Sequence, residues 1–268
     1  MTEPVISVRG LRTRFGRQVV HDGLDLDVRR GEVLGVVGGW GAGKSVLLRT
    51  IIGLNRPAAG TITVLGNRID RLSAAGWAAL EAHGVRTVID LRNEDELGAD
   101  AAPRPPGLTT LHLPLDVADD REFWDEWGTG PQFGTPLYYG PHLERFPARS
   151  ARVLVAIAAA PPGGVLYHCG IGRDRTGMIT ILLLALAGVR PEEIAVDYEL
   201  SAAGVRELAA RSGDAEGAEL VEDFLRARGT TAGELVLSLL ASTDVESHVR
   251  AGGLADAELA ALRARLVR

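Results

Sequence analysis

One ten-residue stretch constrains this chain more than any other: His168-Cys169-Gly170-Ile171-Gly172-Arg173-Asp174-Arg175-Thr176-Gly177. An apolar strand-like run, Gly164 to Tyr167, precedes it, and an apolar helix-like run, Met178 to Val189, follows. A strand that enters a tight glycine-rich loop and leaves as a helix brings loop amides and the helix N-terminus to one point, which makes an anion cradle. Cys169 is the only cysteine in 268 residues, and a thiol in such a cradle is favoured as thiolate, the nucleophilic form. Arg175 follows after five residues, and its planar fork grips two phosphate oxygens in a way lysine does not reproduce. A cysteine serving only as a small apolar core residue leaves the glycines, arginine and threonine in register unexplained. The loop implies phosphoryl transfer to sulfur.

The stretch resembles the signature loop of the cysteine-based phosphatases: His-Cys, five residues, Arg, then Ser or Thr. In its fuller form, HCGIGRDRTG, it is similar to the bacterial protein-tyrosine phosphatase family that includes phosphoinositide-active members. That family usually has Lys where Arg173 stands. The resemblance covers about residues 73–268 and implies an α/β fold, a cysteine-phosphatase-like sheet of four to five strands flanked by helices. It implies hydrolysis of phosphotyrosine or related phosphomonoesters, or of a phosphoinositide, through a cysteinyl-phosphate, with no cofactor. Cys169 would attack, Arg175 and the 170–175 amides would hold the equatorial oxygens, and Thr176 would bond the sulfur or orient water while capping the helix. His168 would fix the loop. Gly170, Ile171, Gly172 and Gly177 shape it, and Arg173 adds charge for substrates with a second anionic group.

The leaving oxygen needs a proton from a nearby acid. Asp116, after the alternating run Leu108–Leu115, and Asp174, inside the loop, are both candidates, with Asp119 and Asp120 as further alternatives or as a solvated turn. Val85–Arg92 reads as a buried strand followed by the acidic turn Glu94-Asp95-Glu96. The unit resembles one beside the catalytic loop of the phosphatase family, which implies that Arg92 faces the site and helps place substrate; the alternative is an exposed strand-end arginine pairing with Glu94 or Glu96. The aromatics between Arg121 and Tyr139 lie in a stretch read as long and irregular. They form either a lid or a small satellite core.

The N-terminal part is of another kind. Val5–Val8 and Arg12–Phe15 read as two strands and Val19–Val28 alternates loosely. Val33–Val37 is a buried-type strand running into Gly38-Gly39-Trp40-Gly41-Ala42-Gly43-Lys44-Ser45 and then a helix, the context of a Walker A loop. Its amides would cradle phosphates, Lys44 would reach the β and γ positions and Ser45 would ligate magnesium, so ATP and Mg are the cofactors to consider there. Residues 1–72 resemble the start of an ABC-transporter ATP-binding subunit, particularly those of bacterial lipid-import systems. The resemblance places Phe15 on adenine and matches Gly60–Gly66 to the strand after the first helix. The later motifs are missing: Leu72–Gly76 echoes the signature sequence far too early, and Leu91 stands where the catalytic Glu would follow Asp90. ATP hydrolysis and contact with an ABC permease are therefore not expected. A nucleotide-binding transporter subunit, or a remnant of one, is the competing reading.

The chain reads as a fusion: a truncated P-loop segment, 1–72, then a phosphatase domain, 73–268, lacking its usual first strands. That sheet either does without them or borrows the strand near 61–65. Helices are expected at 74–83 (capped by Ser73, closed by Gly84), 147–160, from Pro191, at 220–228, at 232–240 and at 256–267. The net charge of −6 argues against a nucleic-acid partner, and a lone cysteine suits a reducing cytoplasm. No basic n-region with an apolar h-region is present near Met1, and no apolar run is long enough to span a bilayer, so a soluble cytoplasmic protein is expected. The six histidines show no ligand spacing, and no metal site is expected.

Overall fold

A computed structural model of the chain describes residues 4–15, 18–29, 59–64, 72–98, 100, 102–212 and 215–266. The glycine-rich stretch with Gly38, Gly41, Gly43, Lys44 and Ser45 lies outside the described residues, and so does the side chain of Phe15. The chain divides into two compact units, Met1–Gly66 and Asn67–Arg268.

The first unit is an antiparallel sheet of β1 (Pro4–Phe15), β2 (Gln18–Arg29) and β3 (Ala59–Val64), in the order β2-β1-β3. The two short strands expected at 5–8 and 12–15 are one. Gly10, at φ +58°, takes up a bulge between Val8 and Leu11, and its amide donates to Asp25 Oδ1 at 2.5 Å. Val8 and Leu11 on either side are fully buried. β3 pairs with β1 from Arg12↔Ala59 to Ile6↔Val64, so it is committed there and is not lent to the second sheet.

The second unit contains a parallel sheet of β4 (Val85–Asp90), β5 (Thr109–His112) and β6 (Gly164–His168), with β4 central in the order β5-β4-β6. Among the described residues it has three strands, fewer than the four to five expected, because the segment that would have added one closes the first sheet instead. Thr87 to Asp90 are buried in succession, as a parallel strand covered on both faces requires.

Around it lie α1 (Ala74–Ala82), α2 (Arg121–Trp127), α3 (Tyr139–Arg145), α4 (Pro147–Ala159), α5 (Asp174–Leu186), α6 (Pro191–Ser212), α7 (Ala215–Ala227), α8 (Ala232–Ser242), α9 (Val245–Ala251) and α10 (Asp256–Leu266). Ser73 caps α1 by accepting the Gly76 amide at 3.2 Å. Val153, Leu154 and Ile157 of α4 meet Ile179 and Leu182 of α5 in one core with Ile89 and Leu91. The stretch read as irregular, 121–139, is instead ordered into α2 and two short 3-10 turns, Pro131–Gly134 and Pro136–Tyr138. Its Phe123, Tyr138 and Tyr139 pack into the core, and Phe133 is exposed. At the far end α10 reaches back. Arg265 donates to the carbonyls of Gly163 at 3.1 Å, Pro161 at 3.2 Å and Ala160, fixing the turn that feeds β6. Among the described residues no helix is long and apolar enough to cross a membrane.

Candidate active site

Parallel strands present their carboxyl ends on one side, and there the site is built. The ladder continues past the strands: Leu91 N donates to His168 O at 2.8 Å, Leu113 N to Asp90 O at 2.8 Å and Leu115 N to Leu91 O at 3.2 Å. Arg92, Asp116 and Cys169 therefore issue from adjacent strand ends.

Cys169 is 7% exposed. The chain turns through Gly172 at φ +77° and enters α5 at Asp174. Ile171 projects into solvent and Gly170 lies beneath the Arg175 side chain. Thr176 Oγ1 donates to Cys169 Sγ at 3.3 Å. The capping role expected for Thr176 is corrected: the N-cap residue is Arg173, and Thr176 sits within the first turn.

Arg175 is held by two carboxylates. Its Nη2 donates to Glu96 Oε1 at 2.6 Å, its Nη1 to Glu96 Oε2, and Nη1 lies 3.5 Å from Asp116 Oδ2. Glu96 Oε2 also accepts the Asn93 amide at 2.8 Å, the returning bond of a capping box that opens the turn Glu94–Glu96. Burial alone would raise the Glu96 carboxyl, but Arg175 and the Asn93 amide hold it below the usual range. A Cβ on Gly170 would stand 3.6 Å from Glu96 Oε1 and 3.8 Å from Arg175 Nη2, so this carboxylate rests at the cradle itself.

Arg92 is not the exposed arginine considered above. It is 2% exposed, and its Nε and Nη2 donate to Asp90 Oδ1 at 3.0 Å and Oδ2 at 2.7 Å. Burial raises the Asp90 carboxyl, but Arg92 and His168 outweigh it and leave Asp90 below the ordinary range. His168 bridges this pair to the loop: Nε2 is 3.6 Å from Asp90 Oδ2 and Nδ1 is 3.2 Å from the Cys169 carbonyl oxygen. Burial lowers the His168 pKa more than Asp90 raises it, so the ring is neutral at neutral pH.

The candidate acids separate. Asp120 caps α2 by accepting the Phe123 amide at 3.1 Å and pairs with Arg145 at 2.8 Å, while Asp119 lies exposed in the turn before it. Asp116 is buried between Arg175 and His142, whose Nε2 is 3.3 Å from Asp116 Oδ1. Asp174 faces inward, and its Oδ1 accepts the Tyr139 hydroxyl at 3.0 Å. Burial raises its pKa; the Arg173 charge and the Tyr139 hydroxyl lower it by less. Arg173 is 8% exposed, with its guanidinium against the Tyr198 hydroxyl. It borders a cavity of about 310 Å³ lined by α6, α7 and the start of α8, Ala202 and Leu225 among their residues.

Gly177 shows why the motif ends in glycine. A Cβ there would lie 2.8 Å from Tyr198 Cε2 and 3.3 Å from Cδ2. Gly177→Ala is expected to destabilise the second unit by about 1–3 kcal/mol through overpacking, measured by denaturant unfolding. An unchanged midpoint would mean that Tyr198 moves aside freely.

Sequence reasoning missed Asp90 as the partner of Arg92, Glu96 as the partner of Arg175, and the places of His142 and Tyr198, and it put Tyr139 only among the aromatics of a lid or satellite core. Only Glu96 left a local sign, the Asn93-x-x-Glu96 capping-box spacing. Among the described residues no group of three or more His, Cys, Asp or Glu side chains is arranged to hold a metal ion.

Two families match the chain, over ranges that overlap between residues 66 and 96. The ABC transporter family profile matches residues 21–96. The Nod factor export ATP-binding protein I of Ralstonia nicotianae is 48% identical over 66 residues, 25% of this chain and 21% of that protein. The methionine import ATP-binding protein MetN of Mesorhizobium japonicum is 44% identical over 71 residues, 26% and 20% of the two chains. The aliphatic sulfonates import ATP-binding protein SsuB 2 of Paraburkholderia xenovorans is 51% identical over 61 residues, 23% and 25%. The chain thus spans only a fifth to a quarter of the length of these relatives. Residues 66–268, well over half of the chain and the whole of the cradle, match the profile of the tyrosine phosphatase family, and it is to that family that the chain belongs.

Proposed function

We propose that the second unit hydrolyses phosphomonoesters, phosphotyrosine or a phosphoinositide among them, through a cysteinyl-phosphate. The observation that carries this reading is the seating of Cys169: at the end of β6, under the first turn of α5, with Thr176 Oγ1 on its sulfur and the Arg175 fork already gripping a planar pair of oxygens. In the first step the Cys169 thiolate attacks phosphorus, the bond to the leaving oxygen breaks, and Asp174 gives that oxygen its proton. In the second step water attacks phosphorus, returns a proton to Asp174 and releases orthophosphate from sulfur. Arg175 and the loop amides hold the equatorial oxygens throughout. Asp174 is favoured as the acid because burial keeps its proton on to higher pH, whereas Asp116 is engaged with Arg175 and His142.

The direct test is acid quench of a reaction with a ³²P-labelled phosphotyrosyl peptide. Label should stay on the parent protein and be absent from Cys169→Ser. Turnover with no protein-bound label in rapid-quench samples would defeat the covalent route. For the acid, kcat should fall as pH rises through the Asp174 pKa. Asp174→Asn should flatten that limb and cost about 10²-fold or more on phenyl phosphate, and much less on an ester with a good leaving group. If Asp116→Asn behaves so and Asp174→Asn does not, the roles exchange.

The similarity of residues 21–96 to ABC proteins supports a second, narrower reading, in which the stretch 38–45 binds ATP with Mg. Its residues lie outside those described. Retention of radiolabelled ATP by the parent and its loss in Lys44→Ala would support this reading, and equal retention would remove it.

A further inference from the structure

The loop residues next to Arg175 are tied together by two tyrosines from outside the loop. Tyr139 of α3 is fully buried and Tyr198 of α6 is 5% exposed. Their hydroxyl oxygens are 2.7 Å apart, Tyr139 meets Asp174 Oδ1 at 3.0 Å, and the Arg173 charge lies near Tyr198 and acts on it electrostatically. Tyr198, Tyr139 and Asp174 form a hydrogen-bonded chain, and Arg173, the residue before Asp174, sets its charge near the Tyr198 end.

The proton order in that chain follows from its ends. The Arg173 cation lies near the Tyr198 oxygen and turns that hydroxyl's hydrogen away from itself, towards Tyr139. Tyr139 then has its hydrogen left for Asp174, whose Oδ1 must accept. The reverse order would turn the Tyr198 hydrogen towards the Arg173 cation and leave it without an acceptor along the chain, a poor outcome for a buried hydroxyl. We infer that Tyr139 and Tyr198 are positioning residues, which hold Asp174 with Oδ1 as acceptor so that Oδ2 carries the proton delivered to the leaving oxygen. This rests on the reading of Asp174 as the acid.

The charged and titratable groups facing Asp174 are Arg173 and Arg175 of the loop, Asp116, and the tyrosines Tyr138, Tyr139 and Tyr198. Tyr139 and Tyr198 are held well above ordinary phenol values, first by burial and then by the Asp174 charge, Tyr198 to about 12, so neither ionises in the working range. The pH response thus belongs to Asp174 and not to the phenols. The Tyr139 hydroxyl stabilises the carboxylate form, so its removal moves the Asp174 pKa upward.

The test compares Tyr139→Phe, Tyr198→Phe, Asp174→Asn and the Tyr139→Phe/Asp174→Asn double variant on phenyl phosphate, with full pH profiles of kcat. Tyr139→Phe is expected to lower kcat about tenfold by loosening the acid, to move the basic limb to higher pH, and to add no further loss to Asp174→Asn. Tyr198→Phe, which removes the hydrogen given to Tyr139, should act in the same direction and more weakly, and it serves if Tyr139→Phe fails to fold. A purely structural role would lower stability without moving the limb. Parent-like profiles in both phenylalanine variants, with Asp174→Asn impaired, would overturn the inference and leave the acid in place. A parent-like Asp174→Asn would remove the acid assignment, and the inference with it.

Discussion

Cys169→Ser is expected to lose turnover of any aryl phosphate by on the order of 10⁴-fold or more, as removal of a nucleophile that acts as one unit with its loop does. Three features of the structure lead to that size of effect. The sulfur is nearly enclosed, so water does not take its place as the attacking group. Thr176 Oγ1 stands 3.3 Å from it, an arrangement with no use for an inert thiol. Arg175 and the loop amides are organised around the same point and remain in the serine variant. That variant should therefore still bind phosphate esters with nearly parental affinity, and the loss should fall on kcat. Steady-state kinetics with an aryl phosphate, beside calorimetric binding of a non-hydrolysable phosphonate, separates the two. Residual turnover within tenfold of the parent would place the chemistry elsewhere.

The second large effect is on stability. Arg92→Leu is expected to destabilise the second unit by about 3–5 kcal/mol, since it leaves Asp90 charged and without its guanidinium at a buried strand end. For a unit of this size the midpoint of thermal unfolding should drop by roughly 6–20 °C. The loss is of a partner more than of a favourable pair. Asp90→Val combined with Arg92→Leu should therefore recover much of it, since two apolar side chains need no compensation. His168, 3.6 Å from Asp90, bounds the recovery, because its ring loses an oriented neighbour. Equal melting of the single and double variants would show that the two side chains are not coupled.

What could be seen in the sequence was what is local in the chain. The cradle is contiguous, so its strand, glycine turn, nucleophile, arginine and helix were all present in spacing alone. Helix α1 was bounded by Ser73 and Gly84 for the same reason, a cap and a stop within eleven residues. The partners of the cradle were not visible, because they arrive through packing. Glu96 meets Arg175 across 79 positions and Tyr139 meets Tyr198 across 59, and no periodicity reports such meetings. Gly10 misled in the other direction. It resembles a break between two strands, and the sheet absorbs it as a bulge in one. The strand count failed because pairing partners are chosen by the whole fold. Residues 59–64 have strand character wherever they go, and only assembly sends them to β1.

Among the described residues, the charged groups named around Cys169 (Asp90, Arg92, Glu96, Asp116, Arg173, Asp174 and Arg175) come from the span between β4 and the first turn of α5. The cradle is self-contained in that sense. Substitutions before residue 85 therefore leave these charges in place. Here the leading sequence is transporter-like, and the chemistry draws none of those groups from it.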